Sequence, residues 1–208
     1  MTKKTLFLTF TIAAAIMLPS CSSEPAPAPK VETEAKKEPA KPPEPVGART
    51  PYFEAYRMAR QWAPDALGLT VTAADAGDFK VADGKAGKWT VVFVSPTRKE
   101  ARTFDYVVTD IGDLRKGVNV SGPQLWGGAT PTAKAFSNTE FLIDSDVAYK
   151  AAAEKAADWL KTHPNQKLTM ALGNSSRFAA PVWYVMWGTK ASGYFAFVNA
   201  VTGQVVTQ

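Results

Sequence analysis

Tyr52-Phe53-Glu54-Ala55-Tyr56-Arg57-Met58-Ala59-Arg60-Gln61-Trp62-Ala63 and, 97 residues further on, Tyr149-Lys150-Ala151-Ala152-Ala153-Glu154-Lys155-Ala156-Ala157-Asp158-Trp159-Leu160 decide how this chain folds. In the first stretch Tyr52, Ala55, Tyr56, Ala59, Trp62 and Ala63 recur at three- and four-residue steps, which places them on one face of a helix. Pro64 ends that helix, because it lacks an amide proton and crowds the preceding turn. In the second stretch Tyr149, Ala152, Ala153, Ala156, Trp159 and Leu160 occupy the same six positions. Asp144, Ser145 and Asp146 offer oxygen caps at its start, and Pro164 follows its end.

The segments after each helix correspond too. Leu69-Thr70-Val71 and Leu168-Thr169-Met170 each open a strand. Trp89-Thr90-Val91-Val92-Phe93 parallels Trp183-Tyr184-Val185-Met186-Trp187. Thr103-Phe104-Asp105-Tyr106-Val107 is aligned with Tyr194-Phe195-Ala196-Phe197-Val198, with Gly112 and Gly203 five residues beyond. Hairpin turns are expected at Ser95–Ala101 and Gly188–Gly193. The fold class is therefore α+β: two similar units, each one helix on about three antiparallel strands. A one-striped helix and a one-faced sheet must bury each other. The first unit spans residues 51–112 and the second 144–208, with 113–143 as a connecting loop segment. Tyr52, Trp62, Trp89, Tyr149, Trp159, Trp183 and Trp187 are the expected core.

The second unit resembles a PepSY-type domain, a family with a cystatin-like helix-on-sheet fold. The likeness rests on the alanine-rich helix, Trp183-Tyr184-Val185, Phe195-Ala196-Phe197-Val198-Asn199-Ala200 and the turn Thr202-Gly203-Gln204-Val205, with Asn199 where the family usually has Asp. The first unit, through Asp110-Ile111-Gly112, matches only loosely. The resemblance implies a module of the kind found in protease propeptides and exported proteins, one that binds or inhibits a partner.

The N-terminal part reads differently. Thr2-Lys3-Lys4 precedes Leu6 to Leu18, an uncharged apolar run of 13 residues. That length suits an export signal and falls short of the roughly 20 residues a bilayer-spanning helix needs. Leu18-Pro19-Ser20-Cys21 resembles the lipobox of bacterial lipoproteins, although Pro19 stands where a small or aliphatic residue is usual. The resemblance implies cleavage between Ser20 and Cys21, leaving residues 1–20 as the signal peptide, and acylation of the Cys21 thiol. Fatty-acyl chains such as palmitate would then hold the protein to membrane lipid. Ser22 in the next position implies the outer membrane, facing the periplasm, by the sorting rule of Gram-negative lipoproteins. Residues 21–50 contain seven of the chain's 15 prolines among Glu and Lys, with Val31 and Val46 the only large aliphatics. Such a segment is expected to stay a disordered, semi-rigid spacer.

The formal charge of +5 falls to about +3 without Lys3 and Lys4, and it is spread along the chain. No basic stripe of the sort that neutralises phosphates is present, so nucleic acid is not an expected partner. A single cysteine excludes an internal disulfide. A single histidine, His163 beside Pro164, excludes any multi-imidazole site and reads as a helix-end residue. The sequence carries no phosphate loop, no His-Glu-x-x-His and no Gly-x-Ser-x-Gly. No catalytic site, metal or cofactor is expected. Asp105, Asp110 and Asp113 lie close together, but their spacing is that of a solvated turn rather than an EF-hand. Asn174-Ser175-Ser176 matches a glycosylation sequon, which is discounted in a bacterial chain.

Within 113–143, Gly122-Pro123-Gln124-Leu125-Trp126-Gly127-Gly128 sets a tryptophan among turn-formers. Leu125, Trp126, Gly127 and Gly128 are the candidate binding loop, weighed against the alternative that Trp126 plugs the core. Three functional readings follow. The first is a tethered, non-enzymatic module that binds an envelope protein or peptide, for instance by strand addition at an open sheet edge. The second is an inhibitor or chaperone-like regulator of a secreted peptidase. The third is an envelope enzyme of unknown chemistry.

Overall fold

The computed structural model describes residues 42–206. After helix α1 (Arg49–Trp62) the chain forms strands β1 (Leu67–Ala74), β2 (Lys88–Ser95), β3 (Glu100–Val107) and β4 (Gly117–Val120). A two-residue strand, β5 (Gln124–Leu125), and a 3-10 turn (Asn138–Glu140) lead to helices α2 (Ser145–Lys155) and α3 (Ala157–Thr162). Strands β6 (Leu168–Gly173), β7 (Val182–Trp187), β8 (Tyr194–Asn199) and β9 (Val205–Val206) complete the chain. All strands belong to one antiparallel sheet in the order β4-β3-β2-β1-β6-β7-β8-β9, with β5 beside β3. The chain thus starts twice at the middle of the sheet and meanders outward, first one way and then the other.

Both helices cover the same face. On α1 the buried positions are Pro51, Tyr52, Ala55 and Ala59, and on α2 they are Ser145, Ala148 and Ala152, with Ala156 just beyond. Small alanines let each helix sit close to the strands, and aromatic rings from the sheet fill the space between. Trp89 and Trp183 are fully buried, with ring centres 6.2 Å apart. Each indole N–H donates to a carbonyl in the segment entering its own helix: Trp89 Nε1 to Val46 O and Trp183 Nε1 to Ile143 O, both at 2.9 Å. A buried indole needs such an acceptor. Phe141 bridges the two sides, 5.0 Å from Tyr52 and 5.7 Å from Trp183.

The two sides meet along a short seam. Strands β1 and β6 share three residue pairs, Thr70 with Gly173, Val71 with Leu172 and Thr72 with Ala171, whereas β2 and β3 share eight. Polar contacts at the helix starts reinforce it. The Asp144 carboxylate accepts from the Ser145 amide at 2.7 Å and from the Arg49 amide at 3.0 Å, so one side chain caps α2 and α1 together. Ser145 Oγ accepts from the Ala48 amide at 2.9 Å. Capping satisfies amides that have no partner within the helix.

Several expectations need correcting. The two sides do not close separate sheets around separate cores; they share one of each. The segment 113–143 is more than a connection, because it holds β4 and β5 and contributes buried Phe136 and Phe141. The spacer ends earlier than residue 50: Val46 pairs with Ala86 and Ala48 is fully buried, so these residues belong to the fold. The second helix is broken at Ala156 into α2 and α3. Trp62, Tyr149 and Trp159 are half-buried at the rim, whereas Tyr52, Trp89, Trp183 and Trp187 are buried. Ser20, Cys21, the signal peptide 1–20 and the spacer up to residue 41 lie outside the described residues.

Candidate functional site

Strand register decides which side chains reach the uncovered face of the sheet. Trp89 pairs with Tyr106, and Trp183 pairs with Val198. Val198 therefore stands where Tyr106 stands, one residue away from the alignment that sequence similarity suggested. Because side chains alternate along a strand, a one-residue slip exchanges the two faces. Phe195 and Phe197 consequently lie on the outer face, at the positions of Thr103 and Asp105, and Ala196 takes the inner place of Phe104. Read across the sheet at one level, the outer face carries Asp105, Thr90, Thr72, Ala171, Tyr184 and Phe197.

On the β2–β3 side this face is polar. Thr90 Oγ1 donates to Asp105 Oδ1 at 2.6 Å, and Lys88 Nζ lies 3.1 Å from the same oxygen. On the β7–β8 side it is aromatic. Phe197 has its ring centre 5.6 Å from Tyr184, 5.7 Å from Phe195 and 4.9 Å from Phe178. Phe195 is 47% exposed, unusual for a side chain of its size in a strand. Partial burial raises the Tyr184 phenol above the ordinary tyrosine pKa, so the ring stays neutral at physiological pH.

Beside this cluster, over the β1–β6 seam, is a cleft of about 230 Å³. Thr70, Thr72, Ala171 and Gly173 line it along the seam, with Phe178, Tyr184 and Phe197 on one flank and Thr132 and Ala133 also contributing. Asn174 and Ser175 add polar groups, and Asn174 Oδ1 is buried with no hydrogen-bond partner among the described residues. The Arg177 guanidinium sits 5.4 Å from the ring centres of both Phe178 and Phe197. No carboxylate pairs with it among the described residues. The whole stretch 164–208 contains Lys167, Arg177 and Lys190 and no Asp or Glu.

The loop singled out from sequence lies elsewhere, at the tip of the β2–β3 hairpin. Leu125 is 89% exposed, Trp126 is half-buried, and the Trp126 amide donates to Lys99 O at 2.9 Å. Pro96, Lys99, Leu125, Trp126, Gly127 and Gly128 surround a second, open cleft of about 510 Å³. Trp126 therefore does not plug the core. This cleft lacks the aromatic cluster, and Glu100 stands beside Arg98 and Lys99 in its hairpin.

The remaining sequence candidates are accounted for by structure. His163 stacks on Trp159 at 4.3 Å, with Nδ1 near Thr162 Oγ1 and Trp159 O at the end of α3. Asp110 accepts the Lys116 amide at 2.7 Å, as Asp75 accepts the Val81 amide at 3.0 Å; both brace similar tight turns. Asp105 is engaged by Thr90 and Lys88, so the three aspartates do not converge. Among the described residues no three His, Cys, Asp or Glu side chains gather as metal ligands, and no helix is long and apolar enough to cross a membrane. Sequence reasoning missed Phe178, Tyr184, Phe195 and Phe197 as surface residues. The available signal was that Tyr194-Phe195-Ala196-Phe197-Val198 is apolar in both alternations, which leaves its facing open.

No family model matches the chain, and no curated protein does. A solved structure similar to it is a candidate lipoprotein from Clostridium difficile 630, 12% identical, covering 76% of this chain and 90% of that one with a TM-score of 0.43. At that level the similarity establishes neither family nor function.

Proposed function

We propose that this protein is a lipid-tethered, non-enzymatic binding module of the bacterial envelope, and that its partner, a protein or peptide, docks on the outer face of β7 and β8. One observation carries the reading: the outer-face aromatic cluster of half-buried Phe178, Tyr184 and Phe197 with exposed Phe195, beside a cleft. Contiguous apolar rings on an otherwise polar surface mark interaction sites, and aromatic residues with an adjacent arginine are the usual binding anchors. The tether follows from Leu18 to Cys21 and the proline-rich spacer. The correspondence of α1–β4 with α2–β9 in element order, helix spacing and indole hydrogen bonds supports an origin by duplication, with the second copy specialised for binding.

A photo-crosslinking residue in place of Phe195, introduced in intact cells, tests the site. The expected result is a discrete adduct that a crosslinker in place of Thr103, the corresponding position in the first half, does not give. Identical adduct patterns from both positions would overturn the assignment. Replacing Cys21 with Ser should move the protein from the membrane to the soluble fraction, and continued membrane retention would contradict the tether.

A further inference from the structure

Resting on that reading, we propose that the partner presents an acidic peptide segment, with a carboxylate meeting Arg177 and a neighbouring apolar side chain entering the cleft over the β1–β6 seam. Charge complementarity is the main argument. Arg177 is exposed, held over two phenylalanine rings and unpaired by any carboxylate among the described residues, and residues 164–208 contain no Asp or Glu. Contact with the two rings holds the guanidinium at the cluster, and its planar N–H fork is suited to gripping a carboxylate with two parallel hydrogen bonds. An acidic ligand thus gains a strong contact without meeting a like charge, and the polar β2–β3 side, where Asp105 already engages Lys88, offers no equivalent.

The cleft itself points to an apolar group next to that charge. Its lining is mostly ring faces, alanine, glycine and threonine, and about 230 Å³ accommodates one or two side chains. Polar side chains in the lining, such as Thr70, Thr72 and Asn174, can hydrogen-bond the peptide groups that flank that side chain. The backbone of the central strands is already paired within the sheet, so a peptide here is read through side chains rather than added as a strand.

The experiment uses the full chain in detergent and three fluorescent capped hexapeptides, identical except for two flanking positions that are glutamate, glutamine or lysine around a leucine and a phenylalanine. The glutamate peptide is expected to bind about tenfold or more tightly than the glutamine one, an advantage that Arg177→Glu abolishes and high salt weakens. Arg177 is exposed, so unchanged melting of R177E confirms that the loss is local. Equal binding of the glutamate and glutamine peptides overturns the acidic preference while leaving the docking face intact. Binding of none of the three, with binding of an oligoglucuronate instead, overturns both this inference and the peptide-binding reading on which it rests.

Discussion

Where Thr90 and Asp105 sit on the outer face of β2 and β3, Tyr184 and Phe197 sit at the corresponding places on β7 and β8. Beneath them the inner face hardly changes: Trp89 and Trp183 hang from equivalent carbonyls, and Ala55 and Ala59 answer to Ala152 and Ala156. The face that builds the core is held to one pattern by packing, while the face that meets solvent is free to diverge. Clustered rings, by contrast, expose apolar area that water penalises.

The largest expected effects probe whether the two sides truly share a core. Trp89→Ala and Trp183→Ala should each cost about 3–5 kcal/mol in urea denaturation. Because the indoles touch, the double variant should lose less than the sum of the two, whereas additive losses would mean two independent cores. Next comes the seam. Gly84 has φ +77°, and an added Cβ would lie 2.5 Å from Ser145 O and Asp146 Cα, so Gly84→Ala should cost about 2–3 kcal/mol. Gly112, at φ +56° with open space around it, should cost only about 1 kcal/mol on the same change. Equal costs would show that the turn at Gly84 does not press on α2.

A smaller effect separates the halves by pH. Asp65 accepts from Ser95 Oγ at 2.7 Å and from the Thr97 amide at 2.8 Å, which lowers its pKa to about 2; among the described residues no carboxylate straps the β7–β8 turn in this way. A carboxylate with a depressed folded pKa contributes stability above its unfolded pKa and loses it as pH falls toward the folded one. Asp65→Asn should therefore cost about 1 kcal/mol at pH 7, and the difference from wild type should fade between about pH 4 and pH 2. A difference that persists unchanged at pH 2 would contradict the strap. Smallest of all, Phe195→Thr should change stability by under about 0.5 kcal/mol while weakening docking.

Much of the inner architecture was legible. Helical spacing at two places 97 residues apart located both helices, and the paired tryptophans marked the strands that carry the core. Asp144 read as a cap because an oxygen side chain stood before the periodic run, although its second role at Arg49 depends on a contact 95 residues distant. The joining of β1 to β6 was equally out of reach, since no local pattern fixes which strand becomes a neighbour. Val46 and Ala48 were hidden at the end of a proline-rich run, and Phe136 and Phe141 in a stretch without periodicity. The candidate site was the least legible part. In β8 every residue from Tyr194 to Val198 is apolar, so alternation could not say which set faces outward, and similarity to Thr103–Val107 suggested the wrong one.

The facing of β8 is therefore the measurement that matters most. With Cys21, the chain's single cysteine, replaced by serine, Phe195→Cys and Ala196→Cys can be labelled separately with a thiol reagent under native conditions. The cysteine at 195 should react nearly as fast as a free thiol, and the one at 196 only as the protein unfolds. Rapid labelling at 196 with protection at 195 would place the aromatic pair in the core and leave the outer face without its site.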